Sequence, residues 1–412
     1  MNFLYNILIF KASLLLPFFA LFSKKLRLFV DGRKKTFARF AQFSEDDKII
    51  WFHAASLGEF EQARPIIEQL KKEAKNYKIL VTFFSPSGYE IRKNYELADV
   101  VCYLPLDSKK NAKKFIETVN PTLVLFVKYE FWPNFLNELK KKEIPTLLIS
   151  GIFRKNQIFF QFYGQFFKKS LNAFHHFFVQ DQHSKKLLKK INFTNTTISG
   201  DTRFDRVYEI LQQDNQLDFV TEFKDNQYTI VAGSTWKEDE QLLVNYINNN
   251  ALENEKFIIA PHNIKDEAIL ELQQSIRKKT ILFSKKQGEK MSEYQVLIID
   301  AIGLLTKIYS QANAAYVGGG LKTGLHNILE PATFGIPIVI GDHFEKFKEA
   351  RDLVALKGCV SIKNQWEFTR SFHQLKNDED YRNKTGMINK KYIRENIGAT
   401  KIVMAYVLEK LN

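Results

Sequence analysis

Short apolar runs alternate with amphipathic stretches along most of the chain, from Thr36 onwards. Each run predicts a β-strand, and the stretches between them predict helices. The first series covers residues 49–53, 78–84, 100–104, 122–127, 146–150, 176–180 and 196–200, and the second covers 228–233, 256–261, 280–284, 295–300, 314–319, 336–341 and 359–362. Strands that are apolar along their whole length and alternate with helices are typical of parallel sheets covered on both faces. The pattern therefore predicts two successive doubly wound α/β domains.

The predicted organisation has three parts. We expect a membrane-associated helix over residues 1–30, a Rossmann-like domain over 31–210 and a second one over 211–412. The last helix of the chain can pack back on the first domain. Ligands of such sheets bind beyond the carboxyl ends of the strands, and we expect these ends to face each other across a central cleft. Candidate functional residues are therefore those that directly follow a strand.

The first 30 residues are mostly apolar from Phe3 to Phe22, and Lys24, Lys25 and Arg27 follow at once. About 20 such residues are enough to span a bilayer, but Lys11 inside the stretch also suits a helix that lies in the interface. The basic residues after it place the rest of the chain on the cytoplasmic side. The alternative is a helix buried in the protein.

Composition narrows the range of functions. A chain of 412 residues is too long for a single core. Its formal net charge of +14 indicates an anionic partner, which can be a phosphorylated lipid, a membrane surface or a nucleic acid. The two cysteines, Cys102 and Cys359, lack metal-ligand spacing and give neither a zinc site nor a disulfide framework.

Acidic residues follow the first and fourth predicted strands. In WFHAASLGEF (51–60), Glu59 stands in the first turn of a predicted helix. There it either complements the helix dipole, which lowers its pKa, or acts as a general base in a water-poor cleft, which raises its pKa. Glu130 of KYEFWPN directly follows the fourth strand.

Other strand ends of the first domain carry groups that could bind anions. Ser85 and Ser87 in VTFFSPSGYE could cap a helix or offer N–H groups to an anion. In GDTRFDR (200–206), Arg203 either pairs with Asp205 or binds a phosphate. The stretch 153–169 is aromatic and basic, and it predicts either a surface that dips into the membrane interface or a partly buried helix.

The second domain has three blocks of this kind. Ser234 and Thr235 follow one strand in GSTWKEDE, and His262 follows the next in APHNIKD. The block VGGGLKTGLHNILEPATFGIPIVIG (317–341) carries three adjacent glycines, which allow the backbone to approach a ligand closely. Such a turn suits a nucleotide, with N–H groups for phosphate and a carboxylate for ribose. It matches neither a P-loop nor a dinucleotide fingerprint.

Taken in order, these blocks resemble those of the 3-deoxy-D-manno-octulosonic acid (Kdo) transferases of lipopolysaccharide synthesis. The matching blocks are HAASLGEF, TFFSPSG, YLPLD, EFWPN, GDTRFD, AGSTWKEDE and GGGLKTGLHNILEPATFGIPIVIG. The resemblance covers nearly the whole chain. It implies a GT-B fold and transfer of Kdo from CMP-Kdo to lipid IVA, the tetra-acylated bisphosphorylated lipid A precursor. It also implies inversion at the sugar, and neither a metal nor another cofactor.

The resemblance also assigns residues to roles. Glu59 matches the catalytic base, and Glu130 and Arg203 match positions that support the transition state. The candidate CMP-binding residues are Ser234, Thr235, Pro261, His262, Gly318, Gly319, Gly320, Asn327 and Glu330. The candidate acceptor-binding residues are Ser56, Ser85 and Ser87.

Three positions depart from the family pattern. Lys128 stands where the family commonly has another acid. His262 follows Pro261 directly, without the arginine that often precedes this histidine. SGIFRKNQ (150–157) replaces a run close to Asn-Ala-Arg-Leu-Ser.

The expected partners are CMP-Kdo, an anionic glycolipid acceptor and the cytoplasmic face of the inner membrane of a Gram-negative-type bacterium, with no nucleic acid. The alternatives are a GT-B transferase that uses a UDP-sugar, a GT-B nucleotide-sugar epimerase, and a non-catalytic lipid-binding protein that kept the fold. Turnover with a UDP-sugar and none with CMP-Kdo would favour the first alternative. An epimerase would not need the N-terminal anchor. A lipid-binding protein would bind the acceptor and show no phenotype in Glu59→Gln.

Overall fold

The computed structural model of the protein describes residues 2–411, and its contacts divide the chain into two units. The first unit combines the residues up to Arg206 with those from Ile397 onwards, and the second is Val207–Asn396.

Within the described residues, the first unit contains a parallel sheet of seven strands in the order β3-β2-β1-β4-β5-β6-β7. The strands are β1 Lys48–Ala54, β2 Tyr77–Phe83, β3 Val100–Tyr103, β4 Leu123–Val127, β5 Thr146–Gly151, β6 His176–Val179 and β7 Thr196–Ile198. The helices up to the second unit are α1 Asn2–Ala20, α2 Lys24–Lys34, α3 Thr36–Arg39, α4 Leu57–Glu73, α5 Pro86–Arg92, α6 Lys109–Val119, α7 Pro133–Lys141, α8 Gln165–Ser170, α9 Gln182–Lys190 and α10 Arg203–Ile210.

The second unit repeats this plan, and its described residues form a parallel sheet of seven strands in the order β10-β11-β9-β8-β12-β13-β14. The strands are β8 Tyr228–Thr235, β9 Glu255–Pro261, β10 Thr280–Leu282, β11 Val296–Ile298, β12 Ala314–Val317, β13 Ile338–Gly341 and β14 Cys359–Ile362. The helices are α11 Asp218–Lys224, α12 Lys237–Asn249, α13 Asp266–Ser275, α14 Leu305–Tyr309, α15 Leu329–Thr333, α16 Lys348–Leu356, α17 Gln365–Asn377 and α18 Glu379–Asn396. The final helix, α19 Ala399–Leu411, belongs to the first unit. Each predicted strand is confirmed.

Both faces of the first sheet are buried, which explains why its strands are apolar throughout. Side chains of β1 alternate between the two sides: Trp51 packs in one core with α6 and α7, while Ile50 and Phe52 pack in the other with α4. The second core is completed by α19, which contributes Val403, Met404 and Val407.

The order of the strands fixes where a ligand can bind. In the first sheet the chain winds outwards in both directions from the central pair of strands β1 and β4. The second sheet is arranged in the same way around β8 and β12, except that β11 lies between β9 and the edge strand β10. Loops that leave such a pair diverge to opposite faces and leave a crevice at the carboxyl edge. Glu59 and Glu130 follow the first pair. In the second pair, Ser234 lies in the last residues of β8 and Gly318 follows β12.

The N-terminal helix is not part of the core. The segment Phe3–Ala20 is long and apolar enough to cross a membrane by length and composition, and within it only Ala20 is buried. The alternative of a buried helix is therefore wrong. The stretch 153–169 is not one continuous helix either: it contains a 3-10 turn, Ile158–Phe160, and the start of α8, with Phe159 buried and Phe162 93% exposed.

Candidate active site

Glu59 lies in the first turn of α4 and caps it. Its Oε2 accepts hydrogen bonds from the backbone N–H of Ser56 at 3.0 Å and from the Ser56 hydroxyl at 3.1 Å. This reciprocal arrangement satisfies N–H groups that a helix start leaves unpaired. Ser56, a candidate acceptor-binding residue, is thus a direct neighbour of the candidate base.

The electrostatic surroundings of Glu59 favour the general-base interpretation. Burial raises the pKa of this carboxyl, and the negative charge of Glu130 raises it further. Lys128, the hydrogen bond from Ser56 and His53 act in the opposite direction but do not cancel the effect. Glu59 is therefore both a helix cap and a carboxylate with a raised pKa, a combination that the two sequence interpretations treated as exclusive.

Glu130 belongs to a buried polar network at the ends of β1, β2 and β4. Its Oε2 lies 3.1 Å from His53 Nε2 and accepts a hydrogen bond of 2.8 Å from Trp132 Nε1. On the other side of the ring, His53 Nδ1 lies 2.8 Å from Thr82 Oγ1, which also accepts from Trp51 Nε1 at 2.7 Å. His53 and Thr82 are fully buried.

This geometry assigns the proton of His53. A carboxylate oxygen only accepts, so Nε2 must carry a hydrogen and donate to Glu130. The Trp132 indole then has Glu130 as its acceptor, although His53 Nε2 is also within 3.0 Å of it. The network therefore fixes the position of the Glu130 carboxylate with two donors.

The backbone directly after β4 is strained. Lys128 has φ 63°, in the left-handed region that side chains with a Cβ rarely adopt. Ser150 near the end of the neighbouring β5 and Ser234 near the end of β8 show the same feature, with φ 50° and 54°. Strained residues of this kind cluster at functional sites, because the surrounding structure must hold them in place.

Arg203 pairs with a different residue from the one that the sequence suggested. Its guanidinium donates from Nε at 2.9 Å and from Nη2 at 2.8 Å to Oδ2 of Asp201, which also accepts from Gln62 through Oδ1. Burial opposes the ionisation of Asp201, but the charge and hydrogen bonds of Arg203 lower its pKa. An Arg203–Asp205 pair is therefore wrong. Asp205 instead accepts from the N–H and hydroxyl of Thr400, both at 2.7 Å, at the start of α19.

Ser85 and Ser87 lie together at the start of α5, with 2.9 Å between their hydroxyl oxygens. Ser85 N–H donates to the carbonyl of Ala55, which precedes Ser56. The three candidate acceptor-binding serines therefore stand on two adjacent loops. Arg154 also lies in this unit, and its Nη2 is 3.3 Å from the hydroxyl of Tyr129, whose pKa is raised by burial.

In the second unit, a buried aspartate holds the glycine-rich turn. Asp239 accepts from Gly319 N–H at 2.8 Å, from Trp236 N–H at 2.9 Å and from the Tyr316 hydroxyl at 2.7 Å. Gly319 has φ 87°, and a Cβ at Gly318 would collide with the Ser234 carbonyl and Asp239. The turn therefore requires glycine at both positions and is fixed by Asp239.

Two histidines and a tryptophan form an aromatic cluster next to this turn. The rings of Trp236 and His262 stack 4.5 Å apart, and His262 lies 4.6 Å from His326. Trp236 Nε1 donates to His326 Nε2 at 3.0 Å. Burial lowers the pKa of His262, and burial together with His262 lowers the pKa of His326 to about 4. Both rings are therefore neutral at physiological pH.

The remaining candidate donor-binding residues form separate small hydrogen-bonded groups within the second unit. The Thr235 hydroxyl donates to Glu240 Oε1 at 3.0 Å. Thr235 is paired with Pro261 between β8 and β9, and its carbonyl accepts from the N–H of His262, the next residue. Asn327 Nδ2 donates to Glu330 Oε1 at 3.0 Å, while Glu330 Oε2 accepts from Thr306 at 2.7 Å. Gly320 accepts from His343 N–H at 2.7 Å.

Several residues of these networks were missed in the sequence. His53 and Thr82 lie inside apolar strands and therefore look like core residues in the sequence. For Arg203, the sequence suggested Asp205 as the partner instead of Asp201. Trp132 and Trp236 stood within motifs but were assigned no role. Among residues 2–411, no three His, Cys, Asp or Glu side chains come together as metal ligands would.

Comparison with known proteins identifies relatives over most of the chain. The family model described as "3-deoxy-D-manno-octulosonic-acid transferase (kdotransferase)" matches residues 32–206. The 3-deoxy-D-manno-octulosonic acid transferase of Aquifex aeolicus is 26% identical over 333 residues, which cover 79% of this chain and 85% of the relative. The transferase of the same name from Haemophilus influenzae is 27% identical over 372 residues, covering 85% and 84%.

Solved structures show the same architecture. The UDP-GlcNAc 2-epimerase from Neisseria meningitidis aligns with a TM-score of 0.62 at 16% identity, covering 88% of this chain and all of that one. MurG from Acinetobacter baumannii aligns with a TM-score of 0.55 at 11% identity, covering 88% and 99%. At these identities the likeness concerns the fold alone, and it confirms the expected GT-B class.

Proposed function

Because the chain belongs to the Kdo transferase family of glycosyltransferases, which act in lipopolysaccharide synthesis, we propose that it transfers Kdo from CMP-Kdo to lipid IVA. Glu59 is the general base, and the reaction inverts the configuration at the anomeric carbon. The enzyme works at the cytoplasmic face of the inner membrane.

The observation that carries the assignment of Glu59 as the base is its place beside Glu130 in the first turn of α4, where burial and the charge of Glu130 raise the pKa of its carboxyl. A carboxylate that is merely a helix cap has its pKa lowered by the dipole and by its hydrogen bonds. Burial and Glu130 reverse that effect here. A base whose pKa lies closer to the working pH takes a proton from a hydroxyl more effectively in the transition state.

The chemical step follows from these roles. The acceptor hydroxyl gives its proton to a carboxylate oxygen of Glu59 as the hydroxyl oxygen forms a bond to the anomeric carbon of Kdo. The bond from that carbon to the phosphate oxygen breaks, and CMP leaves with the electron pair. Arg203 and the fixed Glu130 support the charge distribution of this transition state.

The second unit supplies the donor-binding groups. The turn Gly318–Gly320 offers backbone to the phosphate, and the Glu330 carboxylate suits the ribose hydroxyls. The neutral aromatic cluster of Trp236, His262 and His326 suits a cytosine ring, because stacking does not require charge. The absence of an arginine before His262 leaves ring stacking as the main interaction available there.

The substitution Glu59→Gln tests the base directly. Glutamine keeps an oxygen that can accept from Ser56 N–H, so the cap is retained while the proton acceptor is lost. We expect turnover of CMP-Kdo and lipid IVA to fall by about 10²–10⁴-fold, with unchanged affinity for CMP. The lipid product is measured by mass spectrometry.

Glu68→Gln is the matched control, since this carboxylate lies on the same helix and pairs with Arg64. It should keep wild-type turnover. A loss below tenfold for Glu59→Gln would limit Glu59 to capping. Turnover with a UDP-sugar and none with CMP-Kdo would point to another GT-B transferase or to an epimerase.

A further inference from the structure

The N-terminal helix and the helix after it form a hairpin that returns to its starting point. The helix α1 ends at Ala20, a turn follows at residues 21–23, and α2 begins at Lys24 with Ser23 as its cap. The two helices pack against each other. The start of α1 and the end of α2 are both attached to the first unit. These two attachments decide how the hairpin can be oriented in a membrane.

The start of α1 is attached through two polar side chains. The Tyr5 hydroxyl donates to Asp107 Oδ2 at 2.7 Å, and Asn6 Oδ1 accepts from Asn134 Nδ2 at 3.1 Å. Asp107 is 1% exposed and also accepts from the N–H groups of Asn134 and Phe135 at the start of α7. The Tyr5 ring packs on Phe166 and Phe167 of α8. This end of α1 is thus built into the domain.

The end of α2 is attached only a few residues away. A Cβ at Gly32 would collide with the ring of Tyr103, so glycine brings α2 into close contact with the end of β3. Arg33 Nη2 donates to the Phe84 carbonyl at 2.7 Å, and Thr36 donates to the Tyr103 carbonyl at 2.9 Å. Tyr103 ends β3 and Asp107 lies in the connection that follows it, so both ends of the hairpin meet one place on the domain.

Phe3–Ala20 is long enough by itself to cross a membrane, but its start is anchored to the domain through Tyr5 and Asn6. Only the part of α1 beyond that anchor can enter the bilayer. From Tyr5 to Ala20 the helix rises about 22 Å at ~1.5 Å per residue. The hydrocarbon core of a bilayer is about 30 Å thick. Lys24, Lys25 and Arg27 are exposed at the far end of the hairpin. A hairpin standing upright in the bilayer would carry these charges roughly 22 Å into the hydrocarbon. Lys11 is exposed midway along α1.

We infer that α1 and α2 are a monotopic hairpin that lies in the near leaflet of an anionic bilayer and does not cross it. The apolar side chains around the turn, including Phe18, Phe19, Leu21 and Phe22, enter the acyl region. The basic residues reach the phosphates of the headgroups along their apolar stems. The start of the chain and the first unit then lie on the same face of the membrane.

The test uses the full chain with a protease site added before Met1 and another after Asn412. In inverted inner-membrane vesicles, the added protease should cut both sites, and in intact spheroplasts it should cut neither. Cutting of the two sites from opposite faces would establish a span and overturn the inference. The readout does not depend on turnover, so it stands apart from any failure of the proposed reaction.

A second measurement tests the apolar surface. The double substitution Phe18→Ser and Phe22→Ser should lower the fraction of protein bound to anionic vesicles about tenfold or more. The matched control replaces Ile302 and Met387, which are 87% and 72% exposed in the second unit, with serine. It should leave vesicle binding unchanged. Equal losses in both variants, or no loss in the first, would overturn the inference.

Discussion

His53 and Glu130 contact each other at the ends of the adjacent strands β1 and β4, with 3.1 Å between Nε2 and Oε2. His53 is fully buried, and Glu130 is nearly so. The contact fixes the carboxylate of Glu130, whose charge is the largest influence after burial that raises the pKa of Glu59. A buried network thus connects the central strands of the sheet to the candidate base.

The first prediction concerns the stability of this network. In His53→Ala, Glu130 and Thr82 each lose a buried hydrogen-bond partner and a cavity replaces the ring. The free energy of unfolding should fall by about 2–4 kcal/mol in urea denaturation. In His53→Gln, the side-chain amide can still donate to Glu130, so most of the stability should be kept. Equal losses in the two variants would mean that the hydrogen bond to Glu130 is unimportant.

The second prediction concerns the pH dependence of turnover. Glu59 acts only when ionised, so kcat/KM should fall as the pH drops through its raised pKa. Glu130 raises this pKa and Lys128 lowers it. Glu130→Gln should therefore move the acidic limb of the pH profile to lower pH, and Lys128→Met should move it to higher pH.

The pH at the midpoint of the acidic limb is the quantity to compare, because Glu130→Gln should also lower the maximal kcat/KM. Lys357→Met is a suitable control, as this lysine lies in the second unit after α16. Shifts in the same direction for Glu130→Gln and Lys128→Met would contradict the assignment of Glu59 as the base.

The third prediction concerns the glycine-rich turn. In Asp239→Asn, the charge is lost and one of the two oxygens becomes an NH2 group, so the side chain can no longer accept from the Tyr316 hydroxyl as well as from the N–H groups of Gly319 and Trp236. We expect a loss of about 1–3 kcal/mol in stability and, because the turn shifts, affinity for CMP that is lower by about 10–100-fold. Calorimetric titration with CMP measures the affinity.

Glu238→Gln is its matched control. Glu238 is the preceding residue of α12 and pairs with Lys322, whose side chain is exposed. An exposed pair of this kind contributes about 0–1 kcal/mol, so both stability and CMP affinity should stay close to wild type. If Asp239→Asn binds CMP as tightly as Glu238→Gln, the turn does not depend on Asp239.

Most of the fold could be predicted because buried parallel strands are continuous apolar runs with helices between them. The strand order could not, since it depends on pairing between distant segments. The sequence also did not reveal that 153–169 is divided by the 3-10 turn Ile158–Phe160. Its aromatic residues are compatible with both a buried and an exposed helix.

The site was predictable where motifs follow strands, as at Glu59, Glu130 and Gly318–Gly320. The residues that position these groups were not. His53 lies in an apolar strand, and nothing in the sequence brings it to a glutamate in another strand. Asp201 and Asp205 flank Arg203 at equal distances along the chain, and only the backbone path shows that Asp201 receives its guanidinium.

The position of α19 has a consequence for biosynthesis. Asp205 caps this helix, and Val403, Met404 and Val407 complete the core around β1 and α4. The ribosome delivers α19 only after the whole of Val207–Asn396 has emerged. The N-terminal unit therefore cannot complete its core until the entire second unit has been synthesised, whereas the second unit is made without interruption.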